Sequence, residues 1–199
     1  MSVFFSLWIK LFFVLTPFFG LSMFLSMTEG YDVHRRRRLA LSVSGATAVV
    51  SLLLFFAGRQ MFTVFGITLD AFRVGAGVLL MLSAISLVHG QAGNAAAPHD
   101  GDVAVVPLAI PIIVGPATIG TLLVMGAELD SFSAKLIGSL ALLAAVACIS
   151  AVLLSGSLIK RALGSRGIVI LSKITGMILS ALSAEMILTG IRNFLNGHP

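Results

Sequence analysis

Charge is scarce in this chain. Asp, Glu, Lys and Arg together make up 11% of its 199 residues, less than half of the roughly 25% that keeps the surface of a soluble domain in water. That deficit excludes an ordinary soluble globule, because apolar residues reach 58% and the mean hydropathy is +1.07. The single cysteine, Cys148, lies in an apolar run, so an intrachain disulfide and a cysteine-built zinc site are both excluded. Cys148 reads as a small buried or lipid-facing side chain. The histidines, His34, His89, His99 and His198, are scattered without metal-ligand spacing, and His89 reads as interfacial. HExxH, GxSxG, P-loop and dinucleotide fingerprints are all missing. With carboxylates and histidines mostly in breaks between apolar runs, little remains for buried acid–base catalysis. The expectation is a non-enzyme with no cofactor. The N-terminal eleven residues also lack the basic start of a signal peptide, Lys10 lying inside an apolar run that continues to about Met27. That run reads as a retained first helix.

Long apolar runs are what the sequence has. A helix needs about 20 apolar residues to cross a hydrocarbon core of about 30 Å, and six segments qualify: Val3–Met27, Leu39–Ala57, Ala71–His89, Val103–Ala127, Leu136–Leu158 and Ile174–Ile191. The net charge of +5 does not suggest nucleic acid, since the basic residues sit in short breaks between spans, the positive-inside pattern. The first break holds Arg35, Arg36, Arg37 and Arg38, and the fifth holds Lys160, Arg161, Arg166 and Lys173. The second and fourth hold only Arg59 and Lys135. The odd-numbered breaks are therefore expected on the cytoplasmic side of a prokaryotic plasma (inner) membrane, with both termini outside.

The two halves of the chain match. A shift of 99 residues brings Pro17 onto Pro116 and Glu29 onto Glu128. A shift of 100 brings Arg73 onto Lys173, Leu82–Ala84 onto Leu182–Ala184, and Gly90 onto Gly190. Three helices per unit force the second copy to enter the membrane from the other side, and the alternation of basic and neutral breaks agrees. The expected architecture is an all-α membrane protein: six transmembrane helices in two inverted three-helix repeats, each with a broken first helix. Residues 1–90 form the first repeat, 91–102 (within the glycine- and alanine-rich GQAGNAAAPHDGD) a linker, and 103–199 the second repeat. Many secondary transporters use this arrangement for alternating access.

Broken helices mark where chemistry could sit. The first span carries Thr16, Pro17 and Gly20; the fourth carries Pro107, Pro111, Gly115, Pro116, Thr118 and Gly120. A proline inside a helix removes a backbone hydrogen bond, and in hydrocarbon the freed carbonyls need new partners. Matched breaks in an inverted repeat expose helix N-termini and unwound carbonyls near the midplane. The expected substrate-binding residues are accordingly Thr16, Pro17, Gly20, Gly115, Pro116 and Thr118. The competing reading is a pair of structural kinks packed by glycine. Glu185 is the one acidic residue well inside a span, six residues and so about 9 Å from the end at Ile191. An intramembrane carboxylate suggests an ion or proton pathway, or else a structural pair with Arg73 or Arg192. Arg73 and Lys173 read mainly as snorkelling interfacial residues, Asp70 as an N-cap paired with Arg73, and Arg35–Arg38 as a topology anchor and anionic-lipid contact.

Four segments, LTPFFGLSMFLSMTEG (15–30), GITLDAFRVGAGVLLMLSAI (66–85), VVPLAIPIIVGPATIGTLL (105–123) and EMILTGIRNFL (185–195), resemble the MarC family of six-span integral membrane proteins, over essentially the whole chain. Ala117 stands where the family often has glycine, and the position matched by Glu185 varies there between glutamine and an acid. The resemblance implies transport of small neutral amino acids, such as glycine and alanine, coupled to an ion gradient. Together these readings lead to a secondary transporter of small zwitterions, with Glu185 in proton or cation coupling. The alternatives are an exporter or channel for another small solute and a non-transporting scaffold or regulator. The expected partners are a small-molecule solute and the lipid bilayer, with a homo-oligomer also compatible and nucleic acid excluded.

Overall fold

The computed structural model describes residues 2–90 and 113–196, and among them all regular structure is helical. The chain begins with α1 (Ser2–Val14) and α2 (Pro17–Met27), two parts of one broken span. It continues with α3 (Val33–Phe65), α4 (Leu69–His89), α5 (Pro116–Glu128), α6 (Phe132–Leu154) and α7 (Gly156–Leu195). Five spans are long and apolar enough to cross a membrane: Val3–Met27, α3, α4, α6 and α7. Only 33–39% of the most apolar window of each is buried, so the remaining apolar surface has to meet lipid rather than water. Of the expected sixth span only α5 is described. Its 13 residues reach roughly 20 Å at 1.5 Å per residue. The linker 91–102 with His99, the start of the fourth span with Pro107 and Pro111, and the C-terminal end with His198 lie outside the described residues.

Several expected breaks are helical. α3 starts at Val33, where the Asp32 side chain accepts from the His34 amide at 3.2 Å, so Arg35–Arg38 occupy its first turns instead of a loop. It then runs through the break expected at Gly58–Asp70 as far as Phe65, and Gly66 ends it in a left-handed conformation (φ 62°). Only residues 66–68 separate α3 from α4. The fifth break, Ile159–Lys173, is also helical apart from Gly164 (φ 67°, ψ 173°), where α7 is interrupted. The physical reason is common to all three. Charged residues mark where a helix leaves hydrocarbon, but Arg, Lys and Gln are good helix formers, so the helix continues into the headgroup region. Conversely α6 begins earlier than expected, at Phe132, because Ser131 caps the Ala134 amide at 3.1 Å. It ends at Leu154, and α7 follows after the single residue Ser155.

Small residues let these helices approach closely. α4 lies antiparallel along α7, α3 packs against α5 and α6, and α1 packs against α6. Where α3 crosses α5, a Cβ on Gly58 would collide with the Leu123 carbonyl, and one on Gly126 with the Phe55 carbonyl. Small-residue contact of this kind brings backbones together where lipid supplies no hydrophobic drive between helices. The main core gathers Leu11, Leu15, Leu21 and Phe24 with Ile113, Val114, Leu122, Leu142 and Ile149. Both halves of the chain therefore contribute to one interior.

Candidate functional site

The first helix breaks at Thr16, the one non-glycine residue with positive φ among those described (φ 47°, ψ 58°). Pro17 has no amide to continue the ladder, and the Thr16 amide instead closes a tight turn onto Phe13 O at 2.9 Å. Pro17 becomes the first residue of α2, and Gly20 N bonds Thr16 O at 2.9 Å. At the second break Gly115 is extended and caps α5, with Pro116 in its first position. The breaks touch: the buried Thr118 hydroxyl lies 3.2 Å from Val14 O and 3.3 Å from Ile113 O, one carbonyl from each break. A Cβ on Gly20 would lie 3.3 Å from the Ile113 side chain. The paired breaks thus form a packed joint, closed by a hydroxyl within reach of one carbonyl from each.

The open space lies beside this joint. A cavity of ≈ 190 Å³ is lined by Lys10 and Val14 of α1, Arg73 and Leu80 of α4, Thr121 and Glu128 of α5, and Glu185, Met186 and Thr189 of α7. None of Thr16, Pro17, Gly20, Gly115, Pro116 and Thr118 is among its lining residues. Val14 connects the two regions, lining the cavity while its carbonyl accepts from Thr118.

Four charges dominate the lining. Arg73 is 6% exposed and its guanidinium is divided between Asp70, at 2.7 Å, and Glu128. Asp70 Oδ1 also accepts from Asn193 Nδ2 at 3.0 Å, which ties the start of α4 to the end of α7. Helix α4 is capped by Thr68, whose hydroxyl accepts from the Ala71 amide at 3.3 Å. Asp70 therefore sits in the first turn as a carboxylate partner of Arg73 and is not the cap expected of it. Glu185 meets Lys10, whose ammonium is 3.5 Å from both carboxylate oxygens. The expected Glu185–Arg73 pair is replaced by two others, because Arg73 extends toward Glu128 on α5 while Glu185 faces α1 across the cavity. Arg73 is also no snorkelling residue, being buried in protein.

Lys10, Glu128, Thr121 and Thr189 are functional candidates that sequence reasoning did not single out. The isolated Lys10 in an apolar run was the signal for one of them, and the match of Glu29 with Glu128 for another. Thr47 and Ser51, one turn apart on α3, are fully buried, and neither hydroxyl has a hydrogen-bond partner among the described residues. Among the described residues no His, Cys, Asp and Glu side chains gather as metal ligands would. The arrangement can offer a small polar molecule two cations and two carboxylates within an apolar wall.

Comparison with known proteins agrees with this membrane-embedded reading. Residues 1–195 match the model of the family described as MarC family integral membrane protein. A UPF0056 membrane protein of Methanocaldococcus jannaschii is 33% identical over 195 residues, covering 94% of each chain. One from Aquifex aeolicus is 30% identical over 190 residues, covering 92% of this chain and 89% of its own. The UPF0056 inner membrane protein YhgN of Escherichia coli is 29% identical over 186 residues, covering 92% of this chain and 93% of its own. No solved structure matches the chain. The chain belongs to the MarC family of integral membrane proteins.

Proposed function

We propose that this chain is a secondary transporter of small neutral amino acids, resident in the prokaryotic inner membrane and coupled to a proton or cation gradient. The observation that carries the reading is the composition of the cavity: Lys10 and Arg73 stand against Glu128 and Glu185 in ≈ 190 Å³. That volume is below the ≈ 300–1,000 Å³ typical of sites for drug-sized ligands, so a solute of a few heavy atoms suits it. A zwitterion brings one carboxylate and one ammonium. It can exchange with an existing ion pair, carboxylate onto Lys10 or Arg73 and ammonium onto Glu128 or Glu185, without adding net charge to a site of low dielectric. Lys10–Glu185 is the looser pair and the more exposed, with side chains 39% and 62% accessible, and is the one that a solute or a coupling cation opens. Glu185 takes or releases the coupling ion. Thr16–Gly20 and Gly115–Thr118 form the joint beside the site and meet it through Val14.

The inverted repeat is the framework for this mechanism. On the α4–α7 interface a Cβ on Gly77 would lie 3.2 Å from Ser183 O, and one on Gly176 2.9 Å from Ala84 O. A shift of 99 residues exchanges these two pairs with each other, as a two-fold axis between the halves requires. The packing of α4 on α5 likewise has its counterpart in α7 on α2, and α3 on α5 in α6 on α2. Both support residues 1–90 and 103–199 as units of opposite orientation. The arginine-rich breaks then face the cytoplasm, and the cavity opens toward the other side, where both termini lie.

The reading is tested by uptake of radiolabelled glycine and alanine into proteoliposomes, with and without an inward proton or sodium gradient. Wild type is expected to show saturable uptake that rises with one of these gradients, and Glu185→Gln to lose the gradient response. Absence of uptake of either amino acid under every gradient overturns the substrate class.

A further inference from the structure

A second concavity, of ≈ 330 Å³, lies at the other end of the molecule, between the end of α2, the start of α3 and the first turns of α7. Its charged lining is Arg36, Lys160 and Arg161 with the single carboxylate of Glu29, and Ser157, Leu25 and Gly30 complete it. None of these residues lines the cavity around Arg73 and Glu128. We propose that this pocket binds the phosphate group of an anionic phospholipid from the leaflet on the arginine-rich side.

Three observations carry the assignment. The first is charge: three cations converge with one carboxylate on a concave surface, so an anion is favoured there, and a guanidinium fork suits the tetrahedral oxygens of phosphate. The second is pre-organisation. Arg36 is anchored by its Nη2 to Thr28 O at 2.9 Å, and its Nε is buried with no acceptor. The guanidinium is thus fixed at the pocket with donor capacity unused. Ser157 belongs to the first turn of α7, whose free amides and partial positive charge add to the same field.

The third observation selects a lipid over free phosphate. The short helical stretch from Gly156 to the interruption at Gly164 carries Lys160 and Arg161 together with Leu158, 68% exposed, and Leu163, 50% exposed. Apolar side chains beside cations on one short helix are how a segment seats at the headgroup level, with its leucines toward the acyl chains. A soluble anion would have no use for the leucines. A phospholipid uses both, its phosphate on the cations and its chains against Leu158 and Leu163. Such a lipid would join α2, α3 and α7.

The test uses the full-length protein in neutral detergent, with thermal unfolding followed on titration of phosphatidylglycerol, phosphatidylcholine of matched chains, or inorganic phosphate. Two variants remove the same charge: Lys160→Gln with Arg161→Gln in the pocket, and Arg37→Gln with Arg38→Gln outside it. Phosphatidylglycerol is expected to raise the melting temperature of wild type and of the Arg37/Arg38 variant alike. The Lys160/Arg161 variant should need roughly thirtyfold more lipid for the same shift, since each basic residue near an anionic headgroup contributes roughly fivefold. Native mass spectrometry of the same samples gives a second readout even if a variant's basal stability changes: one retained phosphatidylglycerol in wild type and in the Arg37/Arg38 variant, none in the other. Equal weakening in both variants would mean diffuse attraction, an equal response to phosphatidylcholine would mean no headgroup recognition, and an equal shift from inorganic phosphate would mean a free-anion site. Any of these overturns the proposal.

Discussion

Arg73 and Lys10 show how differently two intramembrane cations can be held. Arg73 is buried and spans two carboxylates on two helices, whereas Lys10 makes one longer contact from a partly open position. Removing one partner of a buried pair leaves an uncompensated charge and costs about 3–5 kcal/mol. Because Glu128 is 41% exposed, Arg73→Gln is expected at the lower end of that range, read as a fall in melting temperature in detergent. Lys10→Gln should cost no more than about 1 kcal/mol, as exposed pairs do. Equal losses for the two would contradict this account of the site. At this scale the sequence was partly legible. An acidic residue deep in a span drew attention to Glu185, and the Asp70–Arg73 spacing gave that pair correctly. The partner of Glu185 was not legible, because Lys10 and Glu185 are 175 residues apart and meet only through the packing of α1 beside α7.

Among the elements, hydropathy located the spans and proline located the breaks. Pro17 and Pro116 each begin a helix in the structure, as the missing amide of proline demands. Helix ends were less legible. The polar stretches at Glu29–Arg38, Gly58–Asp70 and Ile159–Lys173 mark the ends of apolar character, while the backbone remains helical through most of each. The closeness of α3 and α5 was hidden too, because a glycine signals a close approach only once its neighbour is known. That contact gives a sharp expectation. Gly126→Ala places a methyl group against the Phe55 carbonyl, backbone that has no rotamer to change. Overpacking of this kind costs about 1–3 kcal/mol or more. Gly45 on α3, whose Cβ would meet nothing within 4 Å, is the control: Gly45→Ala should be neutral or slightly stabilising. The comparison is made by thermal unfolding, and a Gly126→Ala protein as stable as Gly45→Ala would mean that the α3–α5 approach is not as close as described.

Taken as a whole, the molecule carries its strongest asymmetry in one pair of charges. Arg73 and Glu128 join α4 to α5, and shifts of 100 and 99 residues carry them onto Lys173 and Glu29. Among the described residues Lys173 and Glu29 make no ion pair. The proposed transport by alternating access predicts that the two pairs exchange, Lys173–Glu29 closing when Arg73–Glu128 opens. Cysteines at these two positions, in a Cys148→Ser background, should cross-link slowly in the resting protein. Cross-linking should quicken when Arg73→Gln weakens its pair with Glu128, and an unchanged rate would contradict the exchange. The match between the halves was legible because proline, charge and terminal glycine recur within one residue of a single offset. The position of the solute cavity was not, since it depends on how α1, α4, α5 and α7 enclose space beside the breaks.

The central claim is that the cavity between Lys10, Arg73, Glu128 and Glu185 carries a zwitterion, and glycine counterflow tests it most directly because no driving gradient is needed. Proteoliposomes loaded with unlabelled glycine are diluted into a trace of radiolabelled glycine. The account predicts a transient accumulation of label above equilibrium in wild type, abolished by Glu128→Gln and unaffected by Gly45→Ala. Label that only equilibrates passively, or accumulation that survives loss of Glu128, would contradict it.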